Sequence, residues 1–147
     1  MLQGKSALVT GSTRGIGAAI AAELAAQGCN VMLNGFGDAA EIESARQALA
    51  ERCGVPVLYN GADLANEAEI DALTEATADA FGGIDILVNN AVIRYVHSID
   101  DFPREEWRHA LAVNVTAPFV LTQNVLPGMK RKGQAVFAVT CYQPQSA

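Results

Sequence analysis

The chain has 147 residues, half of them apolar, and a formal net charge of -6. That length supports one domain with a substantial core, and that apolar content excludes an intrinsically disordered chain. The acidic balance, with no basic cluster beyond Lys130-Arg131-Lys132, argues against nucleic acid as a main partner.

Apolar periodicity alternates between strand and helix along the chain. Ser6 to Thr10 is short and apolar, a strand. Gly15 to Gly28 carries Ile16, Ile20 and Leu24 four apart, one face of a helix. Asn30 to Asn34 is a second strand. Ala39 to Arg52 places Ile42, Ala45 and Leu49 at helical spacing, and Gly54 is a stop signal. Val55 to Asn60 is a third strand. Asn66 to Phe81 is a third helix, with Asn66 and Glu69 as a capping pair and Gly82-Gly83 at its end. Ile84 to Val88 is a continuous apolar run, as in a strand buried on both faces. Pro103 opens a long helix that ends near Lys130, with Asp100-Asp101 as its cap. Lys130-Arg131-Lys132 reads as the solvated end of that helix, where positive charge is favoured. Trp107, Leu111, Phe119 and Leu126 are expected to pack. Gln134 to Thr140 is a fifth strand.

Strict alternation implies right-handed crossovers and a parallel sheet with helices on both faces. Five such strands allow the order 3-2-1-4-5 or the order 2-1-3-4-5, and the first loop must decide. That loop is Thr10-Gly11-Ser12-Thr13-Arg14-Gly15-Ile16-Gly17. Its Gly-x-x-x-Gly-x-Gly spacing lets backbone approach a pyrophosphate at a helix N-terminus, where free N–H groups and the dipole favour an anion.

Other features point to ordinary surroundings. Cys29, Cys53 and Cys141 have no metal-ligand spacing and read as free thiols of a reducing compartment. His97 and His109 stand apart from any metal-like cluster, so surface or helix-face roles are expected. The N-terminus lacks a signal-peptide apolar region, and no apolar run approaches the roughly 18 residues of a membrane span. A cytoplasmic setting is the expectation. Within the long helix, Pro118 cannot donate to the Asn114 carbonyl, so a kink is expected there, leaving a carbonyl that a buried water could satisfy.

Four motifs together resemble the short-chain dehydrogenases/reductases: the Thr10–Gly17 loop, Asp63-Leu64 after the third strand, Asn89-Asn90-Ala91 after the fourth, and Asn114 in the long helix. The resemblance covers residues 4 to about 133. Segments such as Leu33 to Ile42, Tyr59 to Leu64 and Leu126-Pro127-Gly128-Met129 look most like the bacterial D-3-hydroxybutyrate dehydrogenases. The resemblance implies a Rossmann-type doubly wound sheet in the order 3-2-1-4-5, forming a single dinucleotide-binding domain over residues 1–147. It implies cofactor contacts from Gly11, Ser12, Thr13, Arg14, Gly15, Ile16, Gly17, Phe36, Asp63, Leu64, Asn90 and Ala91. The resemblance makes Asn114 the counterpart of the family's catalytic asparagine, whose carbonyl-held water serves a proton relay. No metal is implied.

NAD is favoured over NADP. Asn34-Gly35-Phe36-Gly37 carries no acid until Asp38, as in the NAD-using hydroxybutyrate enzymes, whereas a basic residue such as Arg14 can hold a 2′-phosphate.

The sequence also departs from the family. The family's chemistry needs a Tyr with a Lys four residues on, because the lysine charge lowers the phenol's pKa. Tyr59, Tyr95 and Tyr142 each lack that Lys. Cys141, preceded by Thr140, stands where the catalytic Ser belongs. Val92 replaces a Gly, and Arg94 replaces a substrate-binding Gln, although a guanidinium can grip a carboxylate in bidentate fashion. The expectation is a truncated or altered chain, without the family's C-terminal strands, helices and part of its homo-oligomer interface, that binds cofactor at best. The alternative is a non-catalytic dinucleotide-binding or interaction domain of the same fold.

Overall fold

The computed structural model describes residues 2–140. Cys141, expected at the family's catalytic serine position, therefore lies outside the described residues. Five parallel strands form one sheet: β1 (Ser6–Val9), β2 (Asn30–Asn34), β3 (Val57–Asn60), β4 (Ile86–Asn89) and β5 (Val136–Val139). Their spatial order is β3-β2-β1-β4-β5, the doubly wound order expected from the glycine loop. β1 lies between β2 and β4, with Ala7 opposite Val31 on one side and Ile86 on the other.

Alternation along the strands divides the core in two. Leu8, Met32 and Leu87 face α3 (Glu67–Phe81) and α5 (Ala117–Arg131), meeting Ile70, Leu73, Leu121 and Met129. Ala7, Val9, Val31 and Val88 face α1 (Gly15–Ala26) and α2 (Ala39–Cys53). β4 is buried throughout, as its unbroken apolar run implies. Residues of β5 are exposed along its length. No helix among the described residues is long and apolar enough to cross a membrane.

The helix ends follow local chemistry. Gly54 and Gly82 close α2 and α3 in the left-handed conformation, at φ +66° and +75°. Asn66 caps α3 by accepting from Ala68 N–H. Glu69 completes the pair differently from a reciprocal box: it accepts from the Asn66 side chain and from the N–H of Asp63.

Four expectations need correction. The buried row of α1 is Gly17, Ala21 and Ala25, one position away from the expected Ile16, Ile20 and Leu24. Small residues let the helix lie close on the sheet, which leaves Ile20 and Leu24 at the edge of the core and Ile16 exposed. Pro103 is the N-cap of α4 (Arg104–Leu111) rather than its first residue, and no side chain caps that helix; Asp101 instead accepts from Ser98 Oγ in the preceding turn. Trp107, Leu111 and Phe119 are 56%, 41% and 64% exposed, because the core takes the opposite face through Val113, Ala117, Leu121 and Val125. Leu126 is half-buried. Lys132 is not simply part of a solvated helix end, because its Nζ donates to Asp85 at 3.1 Å.

The kink expected near Asn114 takes the form of a π-helical stretch, Ala112–Thr116, that joins α4 to α5. The Ala117 N–H donates to the Ala112 carbonyl, and Pro118, second in α5, has no N–H to contribute. A π-bulge is a recognised way for a helix to absorb a missing donor. Cys29 is buried and Cys53 half-buried, both as free thiols; burial pushes the Cys29 thiol up, which keeps it protonated and unreactive.

Candidate functional site

The site forms at the carboxyl end of β1, where β2 and β4 diverge to either side. This is the place at which a doubly wound sheet offers a crevice. Thr10 leaves β1 buried, its Oγ1 donating to the Val88 carbonyl and accepting from the N–H groups of Asn90 and Ala91 at 3.0 and 3.1 Å. Asn90 returns the contact: its Nδ2 donates to the Thr10 and Gly11 carbonyls, each at 2.9 Å. Thr140 Oγ1 donates to Asn90 Oδ1 at 3.0 Å. Asn90 thereby ties β4 and β5 to the glycine loop.

Two glycines in that loop have no room for a side chain. Gly11 has φ +61°, and a Cβ there would lie 2.9 Å from Ala91 Cα. A Cβ on Gly17 would collide with the Gly11 carbonyl and the Asn90 amide. Gly15, at φ +60°, faces open space. Glycines at 11 and 17 let the strand, the helix and the β4 turn close together; the one at 15 supplies a left-handed turn.

The hydroxyls of Ser12 and Thr13 turn toward the protein. Ser12 is buried, donating to the Val9 carbonyl at 2.7 Å and accepting from Asn34 N–H at 3.1 Å. Thr13 Oγ1 donates to the Phe36 carbonyl at 2.9 Å. Asn34, buried at the end of β2, donates through Nδ2 to the carbonyls of Asn60 and Ala62, and Tyr59 donates to the Gly35 carbonyl at 2.7 Å.

A cleft of about 500 Å³ lies in front of this scaffold. Gly11, Thr13, Arg14, Gly15, Ile16 and Gly17 form one wall; Gly35, Phe36, Asn90, Ala91, Val92 and Ile93 form the rest. α1 begins in this wall with no side-chain cap and no acidic residue in its first turn. Free N–H donors and the positive dipole end therefore open into the cleft, a fit to a pyrophosphate. Ile16 and Phe36 project exposed apolar surface at the rim, suited to the flat face of a heterocyclic ring.

Other predicted residues are placed elsewhere. Ser12 supports the loop from behind. Leu64 packs in the core, and Asp63 Oδ1 accepts from Ala65 N–H at 2.9 Å; neither side chain lines the cleft. Arg94 is exposed on the segment that continues from Ile93. Asn114 is brought to the cleft wall indirectly: its Oδ1 accepts from Ile93 N–H and its Nδ2 donates to the Ile93 carbonyl, both at 2.9 Å. Asp38 spends its carboxylate on the α2 N-cap, accepting from Ala40 and Glu41 N–H. Among the described residues, no group of three His, Cys, Asp or Glu is arranged to hold a metal.

Sequence reasoning missed Thr10 as a hub and Asn34 as a brace. A polar residue ending an otherwise apolar strand is the signal for both, since such a group would be buried only with partners.

The family profile described as short chain dehydrogenase matches residues 5–141. D-beta-hydroxybutyrate dehydrogenase of Cupriavidus necator is 52% identical over 136 residues, covering 90% of this chain and 50% of that protein. D-beta-hydroxybutyrate dehydrogenase of Rhizobium meliloti is 45% identical over 129 residues, covering 88% and 50%. L-sorbose reductase from Gluconobacter frateurii, solved with NADPH and L-sorbose, superposes with a TM-score of 0.87 at 34% identity, covering 93% of this chain and 52% of that one. The chain spans about half the length of the curated relatives it matches. With the doubly wound order, the glycine loop and the match to the profile in agreement, the chain belongs to the short-chain dehydrogenase family.

Proposed function

We propose that this chain is the dinucleotide-binding portion of a nicotinamide-dependent oxidoreductase of the 3-hydroxybutyrate-to-acetoacetate kind. The observation that carries the reading is the uncapped N-terminus of α1 opening into the 500 Å³ cleft. The kinship to two D-beta-hydroxybutyrate dehydrogenases supports the substrate class.

In this proposal the amides of Gly15, Ile16 and Gly17 hold the pyrophosphate, while Gly11, Ser12 and Thr13 shape the turn beneath it. Arg14 and Phe36 border the adenosine half, with Asp63 and Leu64 beyond it. Asn90 and Ala91 border the nicotinamide half. Arg94 is the candidate to meet a substrate carboxylate. NAD is preferred to NADP because the segment after β2 follows the pattern of the NAD-using enzymes. Arg14 in the cleft wall is the opposing observation. Titration calorimetry with both cofactors decides between them: tighter binding of NADP that is lost in Arg14→Ser reverses the preference.

A dinucleotide held by the cleft residues would supply a hydride acceptor for the substrate's hydroxyl-bearing carbon. The hydroxyl proton must leave as the hydride does, and that step requires a base with a tuned pKa. No tyrosine of this chain has a lysine four residues on. Asn114 cannot serve as a base, and its side chain is engaged with Ile93. Proton-transfer catalysis of this kind is worth roughly 100- to 10,000-fold. The chain alone is therefore expected to bind dinucleotide without turnover. The test is purified protein with NAD and D-3-hydroxybutyrate, followed by absorbance of the reduced cofactor. Steady turnover that disappears in Asn114→Ala refutes that expectation. A second reading is a non-catalytic dinucleotide-binding or interaction domain of the same fold. A Tyr-x-x-x-Lys encoded downstream in another reading frame would mark an altered enzyme gene and exclude this second reading.

A further inference from the structure

Residues 91–102 join β4 to α4 without regular secondary structure, and their first members, Ala91, Val92 and Ile93, line the cleft. Burial alternates along the first part of this segment. Ala91, Ile93 and Tyr95 are half-buried, whereas Val92, Arg94 and Val96 are exposed. That is the period of an extended chain lying on a surface.

The surface is the helix formed by α4 and the π-helical stretch. Ile93 meets Asn114 through two hydrogen bonds of 2.9 Å. Tyr95 Oη and His109 Nδ1 share one of 2.7 Å. His97 Nε2 meets Glu106 Oε2 at 2.6 Å. Phe102 then stands edge-on to Trp107, with ring centroids 6.2 Å apart. From Ile93 to His97 the partners move back along the helix, from Asn114 through His109 to Glu106. Four extended residues span about 13 Å, and the eight helical positions from 114 to 106 span about 12 Å. The two elements therefore run antiparallel and in step.

Among the described residues, residues 95–97 make no backbone-to-backbone hydrogen bond. Within the described residues, their hydrogen bonds run through side chains. The His97–Glu106 rung is exposed, where water and salt reduce its worth. The Tyr95–His109 rung is part-buried, so breaking it strands polar groups away from water.

We propose that Tyr95 and His109 are positioning residues: their hydrogen bond closes the middle of a clasp that fixes segment 93–97 and, through it, the Val92–Ile93 wall of the cleft. The clasp itself stands on the contacts above; its effect on cofactor rests on reading the cleft as the dinucleotide site.

The experiment combines hydrogen–deuterium exchange of the whole chain with fluorescence titration of NADH. The variants are Tyr95→Phe, His109→Ala, the double variant and His109→Gln, whose amide can restore a hydrogen bond. Each single loss is expected to speed exchange of residues 92–97 about 3- to 10-fold and to weaken NADH binding by a similar factor. Exchange in β1 and β4 stays unchanged. The double variant should do no more than either single one, since both remove one shared contact, and His109→Gln should recover most of the loss. Unaltered exchange at 92–97, or a double effect equal to the product of the single ones, overturns the clasp. Faster exchange with unaltered NADH affinity overturns its positioning role. Failure of the unsubstituted chain to take up NADH refutes the cleft reading, and the exchange data then judge the clasp alone.

Discussion

Removing the carboxylate of Asp85 should destabilise the end of the sheet opposite the cleft. Asp85 precedes β4 and is 7% exposed. Its Oδ2 accepts from the Ser6 N–H and from Ser6 Oγ–H, both at 3.0 Å. Its Oδ1 accepts from Lys132 Nζ at 3.1 Å and faces Lys5 Nζ at 3.8 Å. One side chain thus joins β1, the start of β4 and the chain just beyond α5. Asp85→Ala leaves the buried Ser6 N–H without an acceptor, at a cost of about 1–3 kcal/mol. The Ser6 hydroxyl still has the Gly83 carbonyl. Both lysine side chains are 38% exposed, so losing their ion pairs adds only about 0.5–1 kcal/mol after screening. The sum is about 1.5–4 kcal/mol, or a fall in Tm of roughly 3–16 °C for a chain of this size.

The pH dependence gives a second handle on the same group. Burial by itself would push the Asp85 carboxyl up, but the Ser6 and Lys132 hydrogen bonds outweigh it and hold the group below the usual carboxylate range. A depressed carboxyl stabilises the fold above its unfolded pKa, about 3.9. That stabilisation is lost as pH falls through the folded value. The stability gap between the unsubstituted chain and Asp85→Asn should be widest above about pH 5 and shrink steadily below about pH 4. Thermal melts followed by far-UV circular dichroism suit the assay, because Trp107 is too exposed to report well on the core. A Tm for Asp85→Ala within about 2 °C of the parent, or a gap to Asp85→Asn that is constant on acidification, would refute the reasoning.

Gly17→Ala should abolish NADH binding in a fluorescence titration and lower stability by about 1–3 kcal/mol, because its Cβ meets the Gly11 carbonyl and the Asn90 amide. Gly15→Ala, which has open space but φ +60°, should cost only about 1–2 kcal/mol; equal effects at the two positions would contradict the packing argument. Trp107, Leu111, Val115 and Phe119 form an exposed apolar row along one side of the long helix, and β5 is exposed. Weak association or aggregation is expected by light scattering, reduced in Phe119→Glu; a monodisperse, stable tetramer would contradict it.

Much of the fold was legible in the residues because it is set locally. The apolar run of β4, the stop glycines at 54 and 82, and the cap at Asn66 each act within a few positions of themselves. The Gly11–Gly17 loop, following the first strand, was enough to favour the order 3-2-1-4-5 and to place a candidate anion site. Tertiary structure decided what depends on partners far apart along the chain. Thr10 meets Asn90, 80 positions away, and Ser6 meets Asp85, 79 away. Periodicity identified an apolar face on α1 but could not reveal that Gly17, Ala21 and Ala25 pack more closely on the sheet than Ile16. It could not foresee that Phe119 points outward, since the core on that side takes Val113, Ala117 and Leu121. Helical spacing says which residues share a face, whereas the choice of face belongs to the sheet against which the helix packs.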